Sequence, residues 1–224
     1  MNPQDMEARI MELEKQVAKL NDIEAIQRLQ RSYGYYIQNW MYAELADLFA
    51  DSPDAELSIL SGVFIGKSNI DNYFTSWKEQ NYDPEFLHQL MQLSGIVDVM
   101  PDGKTAKGRW FAYGAMSLHN GDGIKPLTCD GIYTTDYVKQ DGVWKILKLT
   151  WYPVFLSVPF EGWVNKDRIQ TGAIPASTKG YKPDRPREFD PRYPSGYTVP
   201  FHFKHPVTGK ETDVEERNAA IRNK

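Results

Sequence analysis

The chain lacks the features that mark most nucleic-acid-binding, membrane and disulfide-stabilised proteins. Cys129 is the one cysteine among 224 residues, so neither an internal disulfide nor a cysteine-based zinc site can form. Lys and Arg number 26 against 30 Asp and Glu, and a net charge of −4 is not the basic footprint of a nucleic-acid binder. No apolar run approaches the roughly 18 residues that span a bilayer, and the opening MNPQDMEARIMELEK is unlike a signal peptide. We therefore expect a cytoplasmic protein that binds neither nucleic acid nor membrane.

The short motifs that hold cofactors or build a catalytic nucleophile are also absent. The sequence contains no Gly-rich phosphate loop, no GxGxxG after a predicted strand and no GxSxG elbow. His202 and His205 have a spacing suited to a metal, but no third ligand is near in the sequence, and such a pair in a proline-rich segment is more often a surface feature. The sequence therefore predicts no cofactor and no metal, which leaves acid–base chemistry by side chains.

Helical patterns occupy the first part of the chain. Apolar residues recur at three- and four-residue spacing between residues 10 and 20, and again between residues 26 and 37, with a break or N-cap expected at Asn21–Asp22. We expect the first stripe to pack on its own domain; a short coiled-coil seam between subunits is the alternative. Two shorter helical patterns follow, at Ala43–Phe49 and Ile70–Trp77.

Extended patterns follow and end near residue 156. A short alternating run at 55–59 and the stretch GVFIG predict a hairpin-like pair. Longer runs cover residues 88–99, 106–118, 131–138 and 143–156, and Asp-Gly turns separate several of them. This order defines an α+β fold, in which a strongly curved, mixed but mostly antiparallel sheet packs around the N-terminal helices. The predicted organisation is a helical extension over residues 1–20, a core domain over 21–156 and a tail over 157–224.

The tail has an unusual composition. Eight of the 14 prolines lie between Pro159 and Pro206, which excludes a central strand or a long helix. The same segment carries eight aromatic residues, whereas disordered tails are normally poor in aromatics. We therefore expect an ordered extension that wraps its own domain or a neighbouring subunit.

Aromatic residues are frequent, at 13% of the chain. Either they fill the core and surface, or they line a pocket for an aromatic ligand. Tyr133 and Thr135 share one strand face, and Trp110 and Met116 share another with small residues between them. Small residues between large ones leave room for a cavity, although they also suit ordinary packing against a helix.

Acid–base chemistry near neutral pH points to histidine, of which the chain has four. His88 begins a predicted strand beside apolar residues and could face a cleft, whereas a core histidine held by a backbone carbonyl is the alternative. His119 precedes Asn120-Gly121-Asp122 and is typical of a solvated turn. His88 is therefore the candidate acid–base group.

Several stretches resemble one known superfamily. The run IQRLQRSYGYYIQNWMYAELADLFAD is similar to the opening helices of the nuclear-transport-factor-2-like superfamily, in its SnoaL-like and scytalone-dehydratase-like branch. GVFIGKSNIDNYF, His88, TAKGRWF and GIYTTDYVKQDGVWKILKL follow in the order of that family, and DGVWKI is the most specific of them. The resemblance covers roughly residues 20–156. It implies a cone-shaped barrel, closed by helices, with a pocket inside.

The resemblance also implies a set of site residues. Members similar to scytalone dehydratase are cofactor-free lyases that move protons on phenolic substrates with Tyr, Asp and His side chains. The pocket histidine of the family matches His88, and the helix aromatic matches Tyr33. The helix aspartate falls at Gln38, which cannot act as a base, and the second histidine falls near Met116. The strand serine and asparagine fall near Gly131 and Tyr133.

These residues lead to a functional hypothesis. The chain resembles diarylpropane lyases of lignin-degrading bacteria, which release formaldehyde from a bis-phenolic propanediol without a cofactor. We expect the small aromatic substrate to meet four catalytic residues: His88 as acid–base group, Tyr33 and Tyr133 as donors to oxygen, and Gln38 as orienting residue. The expected substrate-binding residues are Trp40, Trp110, Met116, Thr135 and Trp151. The alternatives are a dehydratase or isomerase of another hydroxylated aromatic or polyketide, and a non-catalytic binding module. A homo-oligomer, dimer or trimer, is expected from the family.

Overall fold

The computed structural model describes residues 2–39, 41–76, 88–119, 124–158, 181–188, 199–208 and 211. Three helices precede or interrupt six strands: α1 Pro3–Gln38, α2 Tyr42–Asp47, β1 Glu56–Ile59, β2 Gly62–Ile65, α3 Lys67–Ser76, β3 His88–Val99, β4 Thr105–His119, β5 Ile124–Gln140 and β6 Val143–Ser157. The predicted α+β class and the order of its elements are confirmed.

Helix α1 is one continuous helix of 36 residues. It begins after Asn2, whose side chain accepts a hydrogen bond from the backbone N–H of Asp5 at 2.7 Å. The expected break at Asn21–Asp22 is wrong. The carboxylate of Asp22 accepts a hydrogen bond from Trp144 Nε1 at 2.8 Å and pairs with Lys139 Nζ at 2.6 Å, and these contacts hold this turn against β6 and the end of β5.

The six strands form one sheet in the order β2-β1-β6-β5-β4-β3. Strands β3 to β6 are the predicted antiparallel meander, and the only parallel pair among the named strands joins β1 to β6. Strand β5 begins at Ile124, seven residues before the predicted start. Pro126 lies within it opposite Ser117, so the strand continues through a residue that the sequence pattern treats as a breaker.

The sheet curls around α1. Gln30 of the helix is hydrogen-bonded both to Gln92 of the edge strand β3 and to Tyr137 of β5, and Asp22 is bonded to Trp144 of β6. A single helix reaches strands this far apart only when the sheet bends around it. Register shifts in β3 against β4, and twice in β6 against β5, provide the bends. The core lies between the helices and the concave face, as in the predicted cone.

The first five turns of α1 leave this core. Every residue from Asn2 to Asn21 is exposed, and burial begins at Asp22 and Ile23. The expectation that the stripe at residues 10–20 packs on its own domain is therefore wrong for the part of the chain that the structure describes.

Two described pieces of the tail lie on the domain. Arg185 forms an antiparallel bridge with Val63, and the guanidinium of Arg187 donates to the carbonyl of Ser58 at 3.1 Å. Farther along, Arg109 on the outer face of β4 donates to the carbonyl oxygens of Val199 and Pro200. These two pieces contact the core domain, and the wrapping of the whole tail stays a prediction because its other residues lie outside the described ranges. Within those ranges, none of the helices has the length and apolar character needed to cross a membrane.

Candidate functional site

The strand register arranges the inward-facing residues of the cone in rows. Trp110, Tyr133 and Trp151 lie directly opposite one another on β4, β5 and β6. The next row holds Ala112 and Gly131, because inward positions recur every second residue. All three aromatic side chains are buried. A wall of rings therefore lines the middle of the concave face, opposite α1.

Tyr33 of α1 meets this wall. Its ring packs edge-on against Tyr133, with centroids 5.9 Å apart, and their hydroxyl groups form a hydrogen bond with each other. Tyr133 in turn stacks on Trp151 at 6.2 Å. Burial raises the pKa of both tyrosines far above the ordinary value of 10. Both phenols therefore stay protonated at neutral pH and can donate hydrogen bonds but cannot act as bases.

Trp151 carries an unused hydrogen-bond donor. Its side chain is buried, and its Nε1 has no hydrogen-bond partner among the described residues. The indole nitrogen lies over Gly131, where an added Cβ would come within 2.5 Å of it. A buried N–H without a partner costs about 1–3 kcal/mol. An acceptor oxygen of a ligand would remove this cost.

Two glycines of the concave face, Gly131 and Gly114, show whether the small residues between large ones leave room for a cavity. The space above Gly131 is taken by the indole of Trp151, and a Cβ at Gly114 would lie 1.8 Å from the carbonyl oxygen of Gln89. These two small residues thus permit close packing of a ring and of a neighbouring strand. Both glycines are therefore explained by ordinary close packing and do not require a cavity.

His88 lies at one end of the sheet. It is the first residue of β3 and pairs with the buried Met116 of β4, six residues from Trp110. At about 3.4 Å per residue, this separates His88 from the row of Trp110 by about 20 Å along the strand. Desolvation lowers the pKa of His88 from 6.5 to about 4, so its imidazole is neutral at pH 7. The structure therefore places the candidate base His88 near one end of the strands and the Tyr33–Tyr133 pair near their middle.

Sequence reasoning missed a buried polar network at the opposite end. Gln30 is completely buried; its amide nitrogen donates to Gln92 Oε1 at 2.8 Å, and its oxygen accepts from Tyr137 at 2.6 Å and from Thr135 at 3.2 Å. Trp110 Nε1 donates to the hydroxyl of Tyr137 at 3.1 Å. The structure thus places Thr135 and the polar atom of Trp110 in a hydrogen-bonded wall. The signal was the spacing: Gln30 falls between Ile26 and Tyr33 on the same helical stripe.

The remaining expected residues lie apart from this group. Gln38 is exposed at the C-terminal end of α1 and is not brought to the tyrosine pair. Trp40 lies outside the described residues. The structure therefore brings together Tyr33, Tyr133 and Trp151, with Trp110 beside them and His88 and Met116 nearer the edge of the sheet.

The arrangement limits the chemistry. In the described part of the chain, no group of three or more His, Cys, Asp and Glu residues is arranged to hold a metal. The groups present on the concave face are neutral hydroxyl and indole donors and a neutral imidazole. They can bind oxygen atoms of an aromatic molecule and accept a proton.

A curled mixed sheet around a long helix, with polar side chains on its concave face, defines the class of small cone-shaped α+β domains. The sequence model of the SnoaL-like domain matches residues 18–150. The chain therefore belongs to the SnoaL-like family, in agreement with the resemblance seen in the sequence.

Solved structures share this fold at low sequence identity. A candidate scytalone dehydratase from Novosphingobium aromaticivorans is 17% identical, with a TM-score of 0.51 over 77% of this chain and 99% of its own. A candidate aromatic ring hydroxylase from the same species is 21% identical, with a TM-score of 0.51 over 62% of this chain and 94% of its own. The hexachlorocyclohexane dehydrochlorinase LinA-type3 of Novosphingobium barchaimii is 19% identical, with a TM-score of 0.50 over 66% and 96%. At this identity the likeness shows the fold alone.

Proposed function

We propose that the protein is a cofactor-independent lyase that acts on a phenolic aromatic small molecule. The observation that carries this proposal is the buried indole N–H of Trp151, unpaired among the described residues and stacked beside the Tyr33–Tyr133 pair. A hydroxylated ring supplies both an apolar face for these rings and an oxygen for the free donor. Two proteins of similar fold, a candidate scytalone dehydratase and the dehydrochlorinase LinA-type3, are named as enzymes of small molecules and support the same class.

The proposed substrate is a diarylpropane-1,3-diol derived from lignin. The row of Trp110, Tyr133 and Trp151 offers several buried aromatic faces, which suit a molecule with two rings. In this proposal the phenolic ring binds against Tyr33, Tyr133 and Trp151. The propane chain then extends toward His88.

The reaction proceeds in two steps. Loss of the phenolic proton and departure of the benzylic hydroxyl as water leave a quinone methide. His88, neutral at pH 7, then removes the proton of the terminal hydroxyl. The C–C bond breaks, formaldehyde leaves, and the electron pair restores the aromatic ring and forms the stilbene double bond. Diol thus gives stilbene, formaldehyde and water, and no oxidant is needed.

The first experiment follows stilbene absorbance and trapped formaldehyde when metal-stripped protein is incubated with a phenolic diarylpropanediol. Equal yields of both products are expected. His88→Ala should lower kcat by about 10²–10⁴-fold, because general-base help is of that size. His205→Ala is the matched control, since His205 is exposed on the tail. Full activity of His88→Ala would contradict the assignment of the base.

A second variant tests the role of the unpaired indole N–H of Trp151. Trp151→Phe keeps a ring in the stack with Tyr133 but removes the indole N–H. A lost hydrogen bond to a neutral oxygen costs about 0.5–1.5 kcal/mol, so phenolic ligands should bind several-fold more weakly. A matched analogue whose ring oxygen is removed should bind both proteins equally. Equal loss for both ligands would instead mean that the variant damages packing.

A dehydratase or isomerase of another hydroxylated aromatic is the second candidate. Its support is the fold shared with a candidate scytalone dehydratase. The exposed Gln38, at the position of the family's helix aspartate, instead favours a third candidate, a non-catalytic binding module, because the scytalone-dehydratase set of polar groups has changed. Water loss without formaldehyde, from a panel of hydroxylated aromatics, would identify the dehydratase activity. Ligand binding without any turnover would point to a binding module.

A further inference from the structure

The N-terminal part of α1 presents an apolar stripe that nothing in the described chain covers. Met6, Ile10, Leu13, Val17 and Leu20 are between 43% and 66% exposed, although the helix around them is regular. Exposed large apolar residues that lie on one face of a helix are typical of an interaction surface. These five residues are called the N-terminal seam below.

The spacing of the seam is that of a coiled coil. Its residues follow one another at intervals of four, three, four and three, which is the a/d pattern of a heptad repeat. The β-branched Ile10 and Val17 occupy a positions, while Leu13 and Leu20 occupy d positions. This combination favours two parallel strands over three or four.

Charges beside the seam fix the orientation of the partner. Arg9 occupies a g position and Glu14 the e position five residues later, so in a parallel pair Arg9 of each helix faces Glu14 of the other. An antiparallel pair would instead bring e positions together, and Glu7 and Glu14 both occupy e positions. A second copy of the same helix is therefore complementary to the seam in the parallel orientation.

We propose that residues 6–20 of two copies of this chain form a parallel, two-stranded coiled coil. An isolated helix of this length is marginal because its first turn is costly to nucleate. Here the turns from Asp22 to Gln38 already pack on the sheet, so the seam extends a helix that is formed. The coiled coil joins two cones at one end and leaves their concave faces apart.

Light scattering after size-exclusion chromatography tests the dimer with the full chain. The expected mass is twice the 25.8 kDa of one chain. Val17→Glu should shift the mass toward one chain, because it buries a carboxylate in the seam. Met11→Glu is the matched control: Met11 is 55% exposed, as Val17 is, but lies off the seam, so the dimer should persist.

A cysteine variant tests the parallel register. Leu20→Cys places the two thiols at facing d positions at the end of the seam, so mild oxidation should give a covalent dimer, whereas Met11→Cys should not. The native Cys129 is buried and does not compete for cross-linking. An antiparallel pair would put the two copies of residue 20 at opposite ends of the seam, leave Leu20→Cys uncross-linked and overturn the proposal.

Charge-reversal variants at Arg9 and Glu14 give a third, independent test of the coiled coil. Arg9→Glu and Glu14→Arg should each raise the dimer dissociation constant several-fold, and the double variant should restore it. A monomeric wild-type chain, with the seam covered by its own tail, would overturn the proposal. A trimer, or a dimer that Val17→Glu leaves intact, would overturn it as well.

Discussion

His88 determines how the candidate site responds to pH. Its pKa is about 4 in the folded chain because of burial, against 6.5 for an exposed imidazole. Between these values the unfolded chain binds a proton that the folded chain does not. Stability is therefore fully present above about pH 6.5 and falls as the pH drops toward 4, by as much as about 3 kcal/mol.

Urea unfolding at pH 7.5 and pH 5 measures this effect. His88→Asn should lose about 2 kcal/mol less than the wild type between these two pH values, since it carries no titrating ring. His202 also has a depressed pKa, but it contributes equally to both proteins and cancels in the difference. Equal pH dependence of His88→Asn and wild type would contradict the desolvated, neutral imidazole.

The limits of sequence reasoning are clearest for individual residues. Tyr33 and Tyr133 could each be predicted as candidate site residues from the helical stripe, the strand period and the family resemblance, and the structure brings the two rings into contact. Gln30 could not, because a buried glutamine looks like a solvated one unless its partners are known. Those partners, Gln92 and Tyr137, lie 62 and 107 residues away in the sequence.

At the scale of elements, the Gln30 network docks α1 on the sheet. The amide joins the helix to β3 through Gln92 and to β5 through Tyr137 and Thr135. Gln30→Leu should lower the free energy of unfolding by about 2–4 kcal/mol, since it leaves buried hydroxyl groups without their acceptor. Gln38→Leu makes the same change on the exposed side of the same helix and should stay within about 0.5 kcal/mol. Chemical denaturation of both variants gives the comparison.

The boundaries of elements show which local signals the fold overrides. Asn21–Asp22 is a local break signal, but contacts from Trp144 and Lys139 keep the helix continuous. Pro126 is a local strand breaker, but pairing with β4 extends β5 through it. The meander itself could be predicted, because Asp-Gly turns and alternating strands are local. What could not be predicted are the pairings between distant segments.

At the scale of the whole molecule, the reactivity of the single cysteine, Cys129, measures how readily the fold opens. Cys129 is completely buried in the middle of the sheet, and its thiol lies 3.5 Å from the carbonyl oxygen of Gly114 on the neighbouring strand. Burial, with a smaller contribution from Asp130, raises the pKa of Cys129 to about 12. A thiol reagent, which attacks the thiolate, can therefore react only after the sheet has opened.

The rate at which a disulfide reagent labels Cys129 should follow global unfolding. At pH 8 the native chain should react at least about 10³-fold more slowly than a free thiol, because only about one thiol in 10⁴ is ionised even when reached. Urea should raise the rate with the dependence expected for complete unfolding, because Cys129 belongs to the hydrophobic core and is exposed only when that core comes apart. Val207→Cys, at a position that is 86% exposed, is the control and should react at once. If Cys129 reacted as fast as this control, the middle of the cone would open without global unfolding, and the aromatic wall could not hold a desolvated ligand.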